Sequence, residues 1–343
     1  MNLAAAIRDR DVSQLPGKRD EDWRWTDLRG LIREAPAPSA ELEGDPGAGP
    51  FETYPERAVI LGNGFGARPI SVEPGESRVI ALQVVSKGDG GHAARVDVSV
   101  APGGRLTLLE SYQGQGSYLA HTELSISIAE GGSLERVVLA QDDAEGVSVS
   151  QADVRLSPGA RFAQTVVTSG ARRQRIETVV THPGGHADLR LDGIYLLADK
   201  RHADLTSAVT HAAVDGTTQQ LTKGVVRDQA RAVFQGRIVV AEGADHTDAR
   251  MGHHALILSD RAEVDAKPEL EIYADDVACA HGNTVGALDE DALFYAQQRG
   301  IPELEAKALL TEAFVGEVVD RIEHEGAREI VRAWAAARLR IAA

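Results

Sequence analysis

The residues best suited to chemistry are one cysteine and one histidine in the last third of the chain. Cys279 is the only cysteine of the 343 residues, and His281 follows two positions later. Residues two apart on a β-strand project from the same face, so a thiolate and an imidazole there can meet one metal centre. The acidic or neutral neighbours of Cys279 do not favour a low thiol pKa, so metal ligation suits it better than nucleophilic catalysis. A lone cysteine is also often a small buried residue, and this alternative stays open.

Three further histidines lie close together upstream and suggest a second, weaker site. His246, His253 and His254 could bind a metal together with Asp248. Adjacent histidines on a strand point to opposite faces, which makes joint chelation awkward and favours structural or solvated roles. No function is assigned to this group from the sequence.

The sequence has no strong catalytic signature. It has no Gly-rich phosphate loop ending in Gly-Lys-Ser/Thr, no paired-cysteine zinc motif and no Gly-x-Ser-x-Gly elbow. A formal net charge of −16 repels phosphate backbones and argues against a nucleic-acid partner. No stretch approaches the roughly 18 apolar residues of a membrane span. With one cysteine and no possible internal disulfide, the expected location is the cytoplasm.

The middle of the chain has the period-two pattern of β-strands. One type of turn recurs six times, and its first glycines are residues 103, 131, 159, 184, 216 and 243, so the turns lie 25 to 32 residues apart. Such a repeat favours a stacked β-solenoid. A sandwich with evenly spaced hairpins is the alternative.

The two ends of the chain have a different pattern. The N-terminal part is charged and helix-prone, and Trp23 and Trp25 are expected to pack it against its neighbour. After Leu288 the pattern becomes helical, with Asp289 as a cap, a stop at Gly300 and a new helix from Pro302. The predicted organisation is a helical arm at 1–34, a linker at 35–50, a β core at 51–288 and a helical domain at 289–343.

Motifs near both ends resemble the SufB/SufD family of iron–sulfur cluster assembly proteins. The C-terminal signature comprises KPELEIYADDV from Lys267, CAHGNTVG from Cys279, LFY from Leu293 and RGI ending at Ile301. The run KRDEDWRWTDL from Lys18 resembles an element near the N-terminus of SufD-type members, and FQGRIVV at 234–240 lies between the two. SufB-type chains tend to carry several cysteines and a Glu-Ala-Thr-type continuation after the signature cysteine. This chain has neither, and is therefore similar to the SufD-type arm.

The resemblance implies a right-handed parallel β-helix flanked by helical ends. It also implies pairing with a SufB-type paralogue through the core, binding of a SufC-type ABC ATPase through the C-terminal helices, and a possible homodimer when alone. Cys279 and His281 would then lie at the SufB-type interface and serve nascent-cluster assembly. The implied ATPase-binding residues are Leu293, Phe294, Tyr295, Arg299, Gly300, Ile301, Leu310 and Phe314.

The cofactor expectation follows from counting ligands. Cubane clusters usually take four ligands, mostly thiolates, and this chain has one cysteine. We therefore expect a transient iron–sulfur cluster shared with the SufB-type partner, ATP only on the ATPase, and a non-catalytic scaffold role. The alternatives are a β-helix enzyme acting on carbohydrate or acyl groups, and a purely structural subunit in which Cys279 only packs.

Overall fold

The computed structural model describes residues 3–182 and 184–341. The first two residues of the predicted arm, Pro183 of one predicted turn and the last two residues of the predicted C-terminal domain lie outside this range. Its β part is a parallel solenoid of about eight turns. The strands are β1 (Arg57–Gly62), β2 (Ile70–Val72), β3 (Ser77–Lys87), β4 (Gly91–Val100), β5 (Arg105–Gln115), β6 (Leu119–Ile128), β7 (Ser133–Gln141), β8 (Val147–Leu156), β9 (Arg161–Thr168), β10 (Arg173–His182), β11 (Asp188–Leu197), β12 (His202–His211), β13 (Thr217–Val226), β14 (Arg231–Val240), β15 (Asp248–Ile257), β16 (Glu263–Ile272) and β17 (Ala278–Gly286).

Successive strands alternate between two parallel sheets. One sheet runs β1-β3-β5-β7-β9-β11-β13-β15-β17, and the other runs β2-β4-β6-β8-β10-β12-β14-β16. Every ladder between these strands is parallel, whereas a sandwich of hairpins needs antiparallel neighbours. The predicted β-solenoid is confirmed, and the sandwich alternative is wrong.

The register stacks equivalent residues into continuous rows through the interior. One row joins Leu106, Leu134, Phe162 and Leu189 across β5, β7, β9 and β11, and all four are buried. Each turn buries its inward face against the next, so branched aliphatic side chains suffice to build this core.

The predicted turns differ in how they reverse the chain. Gly103, Gly131, Gly159 and Gly243 adopt φ between 63° and 78°, the left-handed region that favours glycine. In the two remaining turns, the residues with positive φ are His186 and Asp215 rather than the first glycine. Aspartate and histidine are among the non-glycine residues that adopt this conformation most readily, so no glycine is needed at these two positions.

Helices flank the solenoid on both sides. They are α1 (Leu3–Arg8), α2 (Leu28–Leu31), α3 (Glu290–Gln298), α4 (Glu303–Val319) and α5 (Glu325–Ile341), with 3-10 turns at Val12–Gln14 and Glu21–Trp23. The N-terminal arm therefore contains little helix, and it packs on the eight-stranded sheet beside Leu119, Val147 and Val149. The domain limits at residues 34, 50 and 288 stay predictions. Within the described residues no helix is long and apolar enough to cross a membrane.

Helix α4 and helix α5 cover part of the outer face of the nine-stranded sheet. Val315, Val318, Trp334 and Leu339 pack there against a second apolar cluster that includes Leu109 of β5. Leu309 of α4 is exposed. Helix α4 therefore has apolar side chains on two faces, of which the solenoid covers only one.

Candidate functional site

Cys279 and His281 lie on β17, the last strand of the nine-stranded sheet. The interior row that begins at Leu106 continues through Thr218 of β13 and Ala249 of β15 and ends at Cys279. His281 follows Met251 in the next interior row. The structure thus places both side chains on one face of one strand, at the point where the interior rows end. Whether they bind metal stays a prediction.

The thiol is half-buried and its surroundings favour the protonated form. Burial raises the pKa of Cys279, and the charge of Asp248 adds to this rise, while a backbone hydrogen bond with Ala249 opposes it. The thiol therefore has no local activation as a free nucleophile. A soft metal ion would still displace the proton, because a coordinating thiol is deprotonated outright.

The rest of the ligand set is not supplied by neighbouring side chains. Across residues 3–182 and 184–341, no group of three His, Cys, Asp or Glu residues is arranged to hold a metal ion. Cys279 and His281 are therefore not part of such a group within the described residues.

The solenoid is open beside these two residues. Strand β17 pairs only with β15 and strand β16 only with β14, so each presents an unpaired backbone edge among the described strands. The inward residues Ile272 and Val285 are each 42% exposed. Unpaired strand edges next to exposed core residues are a ready surface for another chain.

The predicted ATPase-binding residues divide into two groups. Phe294 and Tyr295 of α3 project outward with 62% and 61% exposure, and the side chains of Leu304 and Leu309 on α4 are also exposed. The guanidinium of Arg299 lies 5.0 Å from the Tyr295 ring and donates a 2.6 Å hydrogen bond to its hydroxyl. Leu293, Ile301 and Leu310 are half-buried, and Gly300 ends the α3 turn with φ 85°.

Phe314, the last residue of that predicted set, packs inward instead. It lies partly buried against the apolar cluster beneath α4, and the Lys223 ammonium is 4.6 Å from its ring centre. Leu304 and Leu309 were missed as surface residues because the sequence cannot show which apolar face of α4 the solenoid covers.

The upstream histidines do not form a joint metal site. His253 is fully buried, whereas His254 lies on the opposite, outer face of β15. His246 lies in a turn between Asp215 and Asp276, each 3.3 Å from one of its ring nitrogens. These positions agree with the structural roles that the sequence favoured.

The N-terminal motif is held by a buried ion pair that the sequence did not indicate. The Arg175 guanidinium is 3.0 Å from the Asp204 carboxylate, and both side chains are inaccessible to solvent. Arg175 also donates to the backbone oxygen of Asp22, and its guanidinium lies 4.4 Å from the Trp23 ring centre. The Thr26 hydroxyl donates to Asp204 at 2.5 Å. The Trp23 region thus packs the arm onto the solenoid, as predicted.

Comparisons with known proteins agree with this architecture. The family model described as the SufBD core domain of the SUF iron–sulfur cluster assembly system matches residues 83–314. The iron–sulfur cluster assembly protein SufD of Escherichia coli is 31% identical over 248 residues, which cover 71% of this chain and 58% of that protein. A SufBD family protein of Mycobacterium tuberculosis is 27% identical over 353 residues, covering 94% of this chain and 88% of the relative.

A SufBD family protein of Synechocystis is 29% identical over 238 residues, and the match covers 66% of this chain. The chain spans little more than half the length of the E. coli and Synechocystis relatives, 58% and 52%. The family model matches more than half of the chain, and these three relatives carry the SufD or SufBD name. The chain therefore belongs to the SufB/SufD family of iron–sulfur cluster assembly proteins, and within that family it is SufD-like.

Proposed function

We propose that this chain is a non-catalytic scaffold subunit that assembles nascent iron–sulfur clusters jointly with a SufB-type partner. The observation that carries the proposal is the position of Cys279 and His281 at the open end of the interior rows. A thiol and an imidazole there are adjacent to the surface on which another chain would pair. The cluster is the cargo of this site, held only during assembly.

The open end supports pairing with a chain of the same fold. The free edges of β16 and β17 offer unpaired backbone groups, and a partner that brings its own edge strands would extend both sheets. Ile272, Val285 and the exposed Tyr273 supply apolar area at the same place. Pairing would bury these side chains and bring the partner's ligands to Cys279.

The incomplete ligand set supports sharing of the cluster. Iron–sulfur clusters usually take four protein ligands, and this chain has one thiol and a histidine on the relevant face. The raised pKa of Cys279 keeps the thiol protonated until iron arrives. Binding of iron would release that proton, as ligand deprotonation accompanies metal binding.

The outward face of α3 and α4 supports a second partner, a SufC-type ATPase. Phe294, Tyr295, Leu304 and Leu309 form an exposed apolar surface, hereafter the helix surface. It consists of helix residues, whereas the open end consists of residues of β16 and β17, so the two partners would use different side chains. ATP would be hydrolysed on that partner, and the helices would pass the movement to the solenoid. The single cysteine supports a reducing, cytoplasmic setting.

Anaerobic reconstitution of the complex tests the site. We expect Cys279→Ala and His281→Ala to lower cluster yield by about tenfold or more, because each removes one ligand of a shared site. His186→Ala, at an exposed solenoid turn, is the matched control and should keep the wild-type yield. Wild-type yield in both ligand variants would contradict the ligand assignment.

Co-purification tests the two surfaces separately. Phe294→Asp should release the ATPase and retain the SufB-type partner. Val285→Asp should release the SufB-type partner and retain the ATPase. Phe65→Asp, on an exposed residue near the other end of the solenoid, should affect neither. Turnover of polysaccharide or acyl donors by the isolated chain would contradict the scaffold role.

A further inference from the structure

The buried His253 takes part in a chain of hydrogen bonds that reaches the last strand. The Tyr195 hydroxyl is 2.8 Å from His253 Nε2, and His253 Nδ1 is 2.7 Å from Asn283 Oδ1. Because the amide oxygen can only accept, Nδ1 carries the proton and Nε2 accepts from the phenol. The interior bonds therefore run from β11 across β15 to β17.

The surrounding residues hold this chain of bonds in one arrangement. The Tyr195 ring crosses β13 at Gly224, where an added Cβ would lie only 1.8 Å from a ring carbon. The His253 ring stacks on Phe234 at a centroid distance of 4.5 Å and an interplanar angle of 12°. Burial lowers the pKa of His253 to about 4, so the ring is neutral and its single proton stays directed at Asn283.

His254 makes the corresponding contact on the outer face of the same strand pair. Its Nδ1 lies 2.7 Å from the Thr284 hydroxyl, and its register neighbour on the other side is Lys223 of β13. Lys223 is 2.5 Å from the Glu317 carboxylate of α4 and lies over the Phe314 ring. A continuous row of side chains thus joins helix α4 to β17.

We infer that His253 and His254 are positioning residues that clamp β17 from its inner and outer faces and thereby hold Cys279 and His281 in place. An edge strand has a backbone ladder on one side only, so side-chain bonds weigh more there than in a central strand. Asn283, His281 and Cys279 are successive residues on one face of β17. Loosening the strand at Asn283 therefore shifts both predicted ligands. The link to the ligands rests on the proposed function, whereas the clamp itself does not.

Hydrogen exchange of the isolated chain tests the clamp without any partner. We expect His253→Ala and His254→Ala each to raise amide exchange in β17 and alkylation of Cys279 by about fivefold to tenfold, the effect of one lost hydrogen bond. His253→Gln keeps an N–H donor toward Asn283 and should return both rates to within about twofold of wild type. His253→Ala leaves a cavity in the core, which could itself loosen the fold. His254 lies outside the core, so His254→Ala tests the clamp without creating a cavity.

His211→Ala is the matched control, because His211 is equally buried in the solenoid but bonds His182 of β10 and Thr218 of β13 rather than a residue of β17. It should lower overall stability and leave β17 exchange at the wild-type rate. Unchanged β17 exchange in both clamp variants, or an equal rise with His211→Ala, would overturn the clamp.

Cluster reconstitution separates the clamp from the proposed function. Suppose that Cys279→Ala abolishes clusters, while both clamp variants loosen β17 and keep the full cluster yield. The inference that the clamp positions the ligands would then be wrong. If Cys279→Ala also keeps full yield while β17 loosens, the proposed function fails and the clamp stands. We expect clamp variants to lower the yield and His253→Gln to restore it.

Discussion

The two ends of the solenoid are built from the same repeat but differ in how they meet solvent. At the first end, Val59 and Leu61 of β1 are 3% and 0% exposed, and Ala67 in the following loop packs against the interior. The side chain of Asn63 closes this loop by donating to the backbone oxygen of Ala40. At the last end, Ile272 and Val285 occupy corresponding inward positions and remain exposed.

This difference shows that the repeat itself does not decide how a solenoid ends. A parallel solenoid needs a cap where its last turn has no neighbour, because inward side chains otherwise stay in water. The chain provides that cap at one end from its own loop. At the other end it leaves the predicted ligands and the inward residues Ile272 and Val285 uncovered. Unpaired strand edges occur at both ends, so the exposed interior is what distinguishes the two.

The largest expected effect tests the closed interior. Glu110 accepts two 2.7 Å hydrogen bonds from Arg136, and both side chains are inaccessible to solvent. Glu110→Ala should lower the free energy of unfolding by about 3–5 kcal/mol, because it leaves a buried guanidinium without its charge partner. Urea denaturation measures this. Glu123→Ala, in an exposed pair with Arg95, should cost at most about 1 kcal/mol; similar losses in the two variants would contradict the contrast.

The next prediction compares the two ends directly. Leu61→Ala should lower the free energy of unfolding of the isolated chain by about 2–5 kcal/mol, since it removes a fully buried side chain. Ile272→Ala should cost less than about 1 kcal/mol in the same measurement, because the side chain is already half in water. Binding of the proposed SufB-type partner should show the opposite pattern: Ile272→Ala should weaken it and Leu61→Ala should leave it unchanged. Equal stability losses would show that the last end is closed.

A pH effect is expected where helices cover the nine-stranded sheet. Burial raises the pKa of Asp192 to about 7 despite Arg321 and Arg190 nearby. The native state therefore holds this proton more tightly than the unfolded chain, and the stability so gained is lost as pH rises from about 4 to 7. The free energy of unfolding should be lower at pH 8 than at pH 5 by on the order of 2 kcal/mol from this group. Asp192→Asn should remove most of that difference; an unchanged pH dependence would rule out this origin.

The smallest effect concerns the thiol at the open end. Because burial raises the pKa of Cys279, its alkylation by iodoacetamide at pH 7 should be severalfold slower than in the unfolded chain. The folded rate should keep rising above the pH at which the unfolded thiol is fully ionised. A folded rate equal to the unfolded rate at every pH would mean that the open end does not shield the thiol.

Local pattern was enough to predict the solenoid and the candidate ligands. The regular glycine turns and alternating aliphatic residues indicate strands of one length, and stacking is the way such strands bury their inward faces. Cys279 and His281 were found from their two-residue spacing and from the family signature around them. Their shared face needs only that the segment is a strand.

The sequence by itself determined which segments repeat and which residues share a face, because both follow from local periodicity. The tertiary structure alone decided which end is closed, which face of α4 is covered, and which buried polar groups find partners. Arg175 meets Asp204, Tyr195 meets His253, and His253 meets Asn283, across about 30 to 60 residues of chain. Such pairs depend on the register between turns, and no local pattern encodes that register.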